Sequence, residues 1–438
     1  MRLINGKICL KHKVVTDQDL VVRDNRIFLE KSSEKIKDGD SEPIDLKGSY
    51  LLPGFVDIHT HGAGLFDFSK GRYNIQTNSF ESSDKIYKED LSGYALLRAK
   101  TGVTSLYLAT VADSVEALQF CFQQLKDYVG SDRNGKEGSL IKGALLEGSF
   151  LNPEMCGAQN PEYVFKPDIK KFDLINESGM IKLVNVVPDN GEPAFKMIKA
   201  LKERGVIPGA GHTNGTGDQF RTAIDNGLSY VIHFLNGPTG TSFKPFDHGG
   251  AVERILQDNR IYTELIIDGF HINPDYVRDV IARKGLDKII AVTDSMFVSQ
   301  TAGITDFKLN GISGCVSQDG KYLYVVDSEP LSLFGSVLTM DKAFSNIVSL
   351  LTRDMEGVWH REHNALDLDQ AVLAAVGMCA ANPCNLLKEH SPEDPETGSI
   401  EEGKWADLIA ADIKGRPGEY YLDIQKVFVR GSEIYSAR

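Results

Sequence analysis

Short apolar runs recur along the chain, and several are followed by a stretch with helical periodicity. The runs cover residues 55–58, 105–109, 144–146, 183–187, 206–210, 230–232, 263–267 and 289–292. Amphipathic stretches lie between several of them, at 115–128, 193–204, 217–226 and 274–284. Apolar runs without alternation belong to strands buried on both faces, as in a parallel sheet flanked by helices. Eight such units predict an α/β chain with a closed (β/α)8, TIM-like barrel. The ends read differently. Residues 1–52 alternate apolar and polar (LINGKICL, DLVVRDNRIFL) with Asn-Gly and Asp-Asn turn signals, and 398–438 again read as short strands. This predicts a small β-sandwich built from both termini, 1–52 and 398–438, around a barrel domain at 53–397. Residues 31–42 read as a solvated loop and 307–326 as hairpin material after the eighth strand. The segments 338–351 and 368–387 read as late barrel helices.

Composition narrows the function classes. The 438 residues are 42% hydrophobic and 25% charged, ordinary for a globular protein with a large core. A formal charge of −13 has the wrong sign for a general nucleic-acid or anionic-membrane binder. The first residues lack the apolar segment of a secretory signal, and no run approaches the roughly 20 apolar residues of a membrane span. Six cysteines are scattered without a C-x-x-C pair, as expected of reduced thiols in a cytoplasmic protein. Cys379 and Cys384 read as helix-packing residues.

The chemistry sits where the runs end. The first closes with His59-Thr60-His61, the third with Glu147, the fifth with His212, the sixth with His233 and the eighth with Asp294. In a barrel of this type the C-terminal strand ends converge on one mouth. Four imidazoles and two carboxylates on one ring suit Zn²⁺ or a related divalent ion. His59 and His61 are two apart on an extended strand, so both point to the same side. No Ser-His-Asp arrangement falls at the strand ends, and GHTNGTG lacks the lysine of a phosphate loop.

The stretches PGFVDIHTHG, LLEGSFLNP, GAGHTNG, VIHFLNG, IIDGFHINP and AVTDS resemble the strand-end motifs of the amidohydrolase superfamily. The set is most similar to N-acetylglucosamine-6-phosphate deacetylases, and LFGSVLTMD and GSIEEGKWADLIAAD extend the likeness over nearly the whole chain. The fourth run ends in Val187-Pro188-Asp189, without the bridging lysine that many amidohydrolases place there. The resemblance implies that Glu147, His212 and His233 hold a core metal and that His59 and His61 allow a second. It implies Asp294 as the acid/base that also faces the metal, and His271, Asn236 and Gly237 as substrate contacts. One or two ions are expected, zinc first, with Fe²⁺, Co²⁺ or Mn²⁺ as alternatives.

Two departures bear on the substrate. Gln159 stands where the family carries a histidine, and Ser149 replaces a proline. The family's arginine-containing, phosphate-gripping segment here reads Asn236–Gly250 without arginine. Lys244 and His248 fall nearest its position, and a lysine binds phosphate as a point charge rather than a fork. The reading is a cytoplasmic, metal-dependent deacetylase of an N-acetylated amino sugar, N-acetylglucosamine 6-phosphate first, and a homodimer by family habit. Alternatives are N-acetylgalactosamine 6-phosphate, an unphosphorylated N-acyl sugar, an N-acyl amino acid or dipeptide, or an inactive sugar-sensing protein. His360 and His363, like His12 and His390, read as surface or lid residues outside the ring.

Overall fold

A computed structural model describes residues 1–32, 42–390 and 396–437. Its centre is one eight-stranded, all-parallel sheet in chain order. The strands are β1 (Phe55–Thr60), β2 (Val103–Ala109), β3 (Leu140–Phe150) and β4 (Ile181–Val186). They continue with β5 (Ile207–Ala210), β6 (Tyr230–Val231), β7 (Tyr262–Leu265) and β8 (Ile289–Ala291). Nearly every strand residue is buried, because helices cover the outer face and side chains fill the interior. This agrees with the eight apolar runs.

The covering helices are α1 (Asp84–Ala99), α2 (Val115–Val129), α3 (Ile169–Ile175), α4 (Glu192–Glu203) and α5 (Gly217–Asn226). Then follow α6 (Ala251–Gln257), α7 (Pro274–Lys284), α8 (Met340–Leu351), α9 (Leu368–Val376) and α10 (Asn382–His390). Helix α5 opens on a capping box. The Thr216 hydroxyl accepts the Gln219 N–H, and the Gln219 carboxamide accepts the Thr216 N–H. A single π turn joins α9 to α10, so Leu368–Glu389 runs as one helix long and apolar enough to cross a membrane. The sequence expectation of no such stretch is corrected here. Much of this apolar surface, 72% of the window, is buried inside the fold. Asn382 anchors it by donating to the carbonyls of Leu286 and Ile289.

The sheet closes between its first and last strands through polar contacts. The Asp294 N–H donates to the His59 carbonyl at 2.9 Å, and the His61 and Gly62 N–H groups both donate to the Ser295 carbonyl. Beneath them the Thr293 hydroxyl donates to buried Asp57 at 2.6 Å. The fully buried Arg98 guanidinium donates to the Gly62 carbonyl and the Ser295 hydroxyl. Residues that close the barrel are therefore neighbours of His59, His61 and Asp294.

Strands from both termini form two further sheets, of four and six strands, around the small core of Leu3, Leu20, Ile27, Leu51, Leu408 and Phe428. Tyr50–Pro53 pairs with Leu408–Lys414 in this unit, and the chain passes through Gly54 directly into β1. Residues 306–309, 312–316 and 323–325 form a three-stranded antiparallel sheet after β8, where hairpin material is expected. Of the expected solvated loop, residues 33–41 lie outside the described residues.

Gly209 on β5 tests the tightness of the interior. A Cβ there would lie 2.4 Å from the ring of fully buried Tyr230. Gly209→Ala is expected to destabilise the protein by about 1–3 kcal/mol, since an enclosed ring cannot move aside. A thermal midpoint equal to that of the wild type would contradict this packing.

Candidate functional site

All six strand-end residues meet at one mouth. Glu147 is the hub. Its Oε1 lies 3.0 Å from His233 Nε2 and 3.5 Å from His212 Nε2. Its Oε2 lies 3.3 Å from His61 Nε2 and 3.5 Å from His59 Nε2. Asp294 Oδ1 faces the same two imidazoles, at 3.1 Å from His61 and 3.5 Å from His59.

The backbone supplies this convergence. His212, His233 and Asp294 have φ of 57°, 30° and 48°. That left-handed region is sparsely populated by residues with a Cβ and carries local strain. At Glu147 the device is different. The pairing of β3 with β4 slips between Leu146 and Phe150, with Gly148 at φ 92°. A Cβ on Gly148 would meet the Ala112 nitrogen at 2.2 Å, so glycine permits the close approach.

The electrostatics follow from burial and charge. Burial alone would raise the Glu147 carboxyl, but His59, His212 and His233 hold it well below the usual carboxylate range. Asp294, likewise buried, is brought down to about 2 by His59 and His61. Burial opposes charge on His61, yet Asp294 and Glu147 outweigh it and raise that imidazole to about 9. His233 is lowered, chiefly by burial. Two buried carboxylates thus call for positive charge among the imidazoles.

A divalent ion fits that demand. Ligand atoms of His59, Glu147 and His233, and those of His59, His61 and Asp294, lie within 4.8 Å of one another. The His59 Nε2 is fully buried and makes no hydrogen bond. An orphaned ring nitrogen between two carboxylates suits a metal ligand better than a structural histidine.

A cavity of about 740 Å³ opens above this cluster, and Gln159, Asn236 and His271 line it. His271 Nδ1 is 2.7 Å from Asp268 Oδ2, and Asn236 donates to the His271 carbonyl. Gln159 is engaged at both ends, accepting from the Ala112 N–H at 2.7 Å and donating to Glu147 at 3.2 Å. It therefore braces the hub carboxylate. Gly237 packs behind the wall, where a Cβ would lie 2.8 Å from His233 Nδ1. Lys244 and His248 stand outside the cavity on an exposed loop. The Lys244 ammonium lies over the Phe246 ring, and His248 pairs with Asp218. Phe243, on the same loop, is 96% exposed.

His12 is exposed and His360 half-buried, both away from the mouth. His363 is not a surface residue. It is buried, with Nε2 2.7 Å from Asp279, which also accepts the N–H groups of Trp359 and His360. The His390 side chain lies outside what is described. Cys379 and Cys384 are buried, outside any disulfide, on the π turn and α10.

Three residues were not singled out from sequence. Glu264 on β7 contacts His59, and Asp57 on β1 binds Thr293. Asp189 organises the His212 loop by accepting from the Thr213 hydroxyl and the Asn214 N–H. The signal for the first two is an isolated carboxylate inside or beside an apolar strand run, where a buried charge requires a partner.

No family model matches the chain. It is 29% identical over 325 residues to the N-acetylglucosamine-6-phosphate deacetylase of Lysinibacillus sphaericus, covering 72% of this chain and 75% of the relative. It is 26% identical over 383 residues to the N-acetylgalactosamine-6-phosphate deacetylase of Escherichia coli, covering 87% and 86%. The solved N-acetyl-D-glucosamine-6-phosphate deacetylase of Mycobacterium smegmatis superposes with a TM-score of 0.79 at 23% identity, covering 99% of this chain and 100% of that one. A crystallised enamidase described as a member of the amidohydrolase superfamily superposes with a TM-score of 0.58 at 18% identity, covering 100% and 96%. In fold the chain is thus a barrel like those of the solved deacetylase and enamidase, and the relatives it matches by sequence are N-acetylglucosamine-6-phosphate and N-acetylgalactosamine-6-phosphate deacetylases.

Proposed function

We propose that the chain is a metal-dependent hydrolase that removes the acetyl group from an N-acetylated amino sugar, N-acetylglucosamine 6-phosphate first. The observation that carries this reading is the Glu147 carboxylate, shared between the imidazoles of β1 and those of β5 and β6, beneath the cavity. The relatives by sequence carry the names of enzymes for this reaction.

His59, His61 and Asp294 would hold one ion, and Glu147, His212 and His233 a second, with zinc as the proposed metal. When bound, the metal supplies Lewis-acid polarisation and acidifies water to a pKa near 7. Asp294 Oδ takes the proton of the attacking water and returns it to the departing nitrogen. The acyl C–O bond forms, the C–N bond breaks, and acetate and the free amine leave. His271, oriented by Asp268, and Asn236 position the sugar on the cavity wall.

A second reading, an unphosphorylated N-acyl sugar, has one observation in its favour. Among the described residues none of those lining the cavity is lysine or arginine.

Acetate release from N-acetylglucosamine, N-acetylgalactosamine and their 6-phosphates, after metal reconstitution, separates the readings. Preference for a 6-phosphate is expected; activity on free sugars alone would select the second reading, and silence on all four would remove both. Asp294→Asn is expected to weaken metal binding at the His59–His61–Asp294 set and, even when reloaded to full metal content, to lower kcat by about 10²-fold or more. Substantial remaining turnover would exclude it as the acid/base. Because Lys244 stands outside the cavity, Lys244→Ala is expected to leave KM unchanged for free and phosphorylated sugars alike, and a KM raised for the phosphorylated substrate only would bring the residue to the sugar phosphate.

A further inference from the structure

Glu264 is a fully buried carboxylate on β7. Its Oε2 accepts from His59 Nδ1 at 3.0 Å and from the backbone N–H of His233 at 3.2 Å. Its Oε1 is buried and makes no hydrogen bond. One oxygen thus binds a ring on β1 and the backbone of His233, two residues past β6, and so joins residues from both proposed ligand sets.

For barrel stability alone this is a poor residue. An ionised carboxylate with one oxygen unsatisfied costs several kcal/mol of desolvation, and a well-packed apolar side chain avoids that cost. Its geometry serves another purpose. A carboxylate on Nδ1 requires the proton there, which leaves the Nε2 lone pair facing Glu147 and Asp294. An anionic acceptor behind a ligating imidazole also raises its basicity and fixes the plane of its ring.

We propose that Glu264 is a positioning residue of the metal centre, fixing the His59 tautomer and ring so that the His59–His61–Asp294 set holds its ion. The proposal rests on the metal reading above.

The test compares Glu264→Gln, which keeps an acceptor and loses the charge, with Glu264→Leu, which loses both. Metal-stripped proteins are titrated with Zn²⁺ against a chromophoric chelator, bound metal is counted by mass spectrometry, and metal-free melting is recorded alongside. Wild-type protein is expected to bind most tightly. Glu264→Gln is expected to lose about 10- to 100-fold in affinity in at least one site, and Glu264→Leu more. Co²⁺-loaded Glu264→Gln is expected to show an altered visible spectrum. Should the leucine variant fail to fold, the glutamine variant decides alone. Zn²⁺ affinity unchanged in Glu264→Gln, whatever its melting temperature or activity, overturns the proposal while leaving the metal reading intact. A wild-type chain that takes up no ion overturns both.

Discussion

The arrangement depends on one carboxylate buried among imidazoles. Glu147 is 1% exposed, and a charge in that position is tolerable only if opposite charge surrounds it. No local segment can supply that. The four histidines come from the ends of β1, β5 and β6, and only a closed barrel brings those ends within about one side-chain length of β3. The left-handed backbone at His212, His233 and Asp294 and the slipped register at Gly148 are the local adjustments this convergence requires. They cluster at the site because the rest of the fold holds them there.

Closure of the barrel is part of the same problem. Asp57, Thr293, Arg98 and Ser295 join β1 to the end of β8 through buried polar contacts in place of a regular strand ladder. Burial raises the Asp57 carboxyl to about 6 even though Thr293 and Arg98 favour its charged form. Polar closure specifies one register, since a shift would leave several buried groups unpaired. That register sets His61 opposite Asp294.

The cavity above has a different character. Phe270, Leu331 and Phe334 line it together with Asn236, Gln159 and His271, and Glu154 is also on its wall. Gln159 is turned toward Glu147 and Ala112. A carboxamide can satisfy both neighbours at once, with one acceptor and one donor end. Its position thus reflects the needs of the hub carboxylate.

Much of this was legible in the chain itself. Eight uninterrupted apolar runs specify buried parallel strands because only strands covered on both faces lack alternation. Their polar endings mark the mouth, since all parallel strands finish on one side. The bracing of the histidine–carboxylate cluster was not legible, because hydrogen-bond partners such as Glu264 and His59 lie 205 residues apart. Only tertiary structure could place Gln159 against Glu147 and His363 against Asp279, or set Lys244 outside the cavity. Sequence determines which residues stand at strand ends, because periodicity is a local property. The direction each side chain takes, and what it touches, is decided when the barrel closes and every buried charge must find its partner.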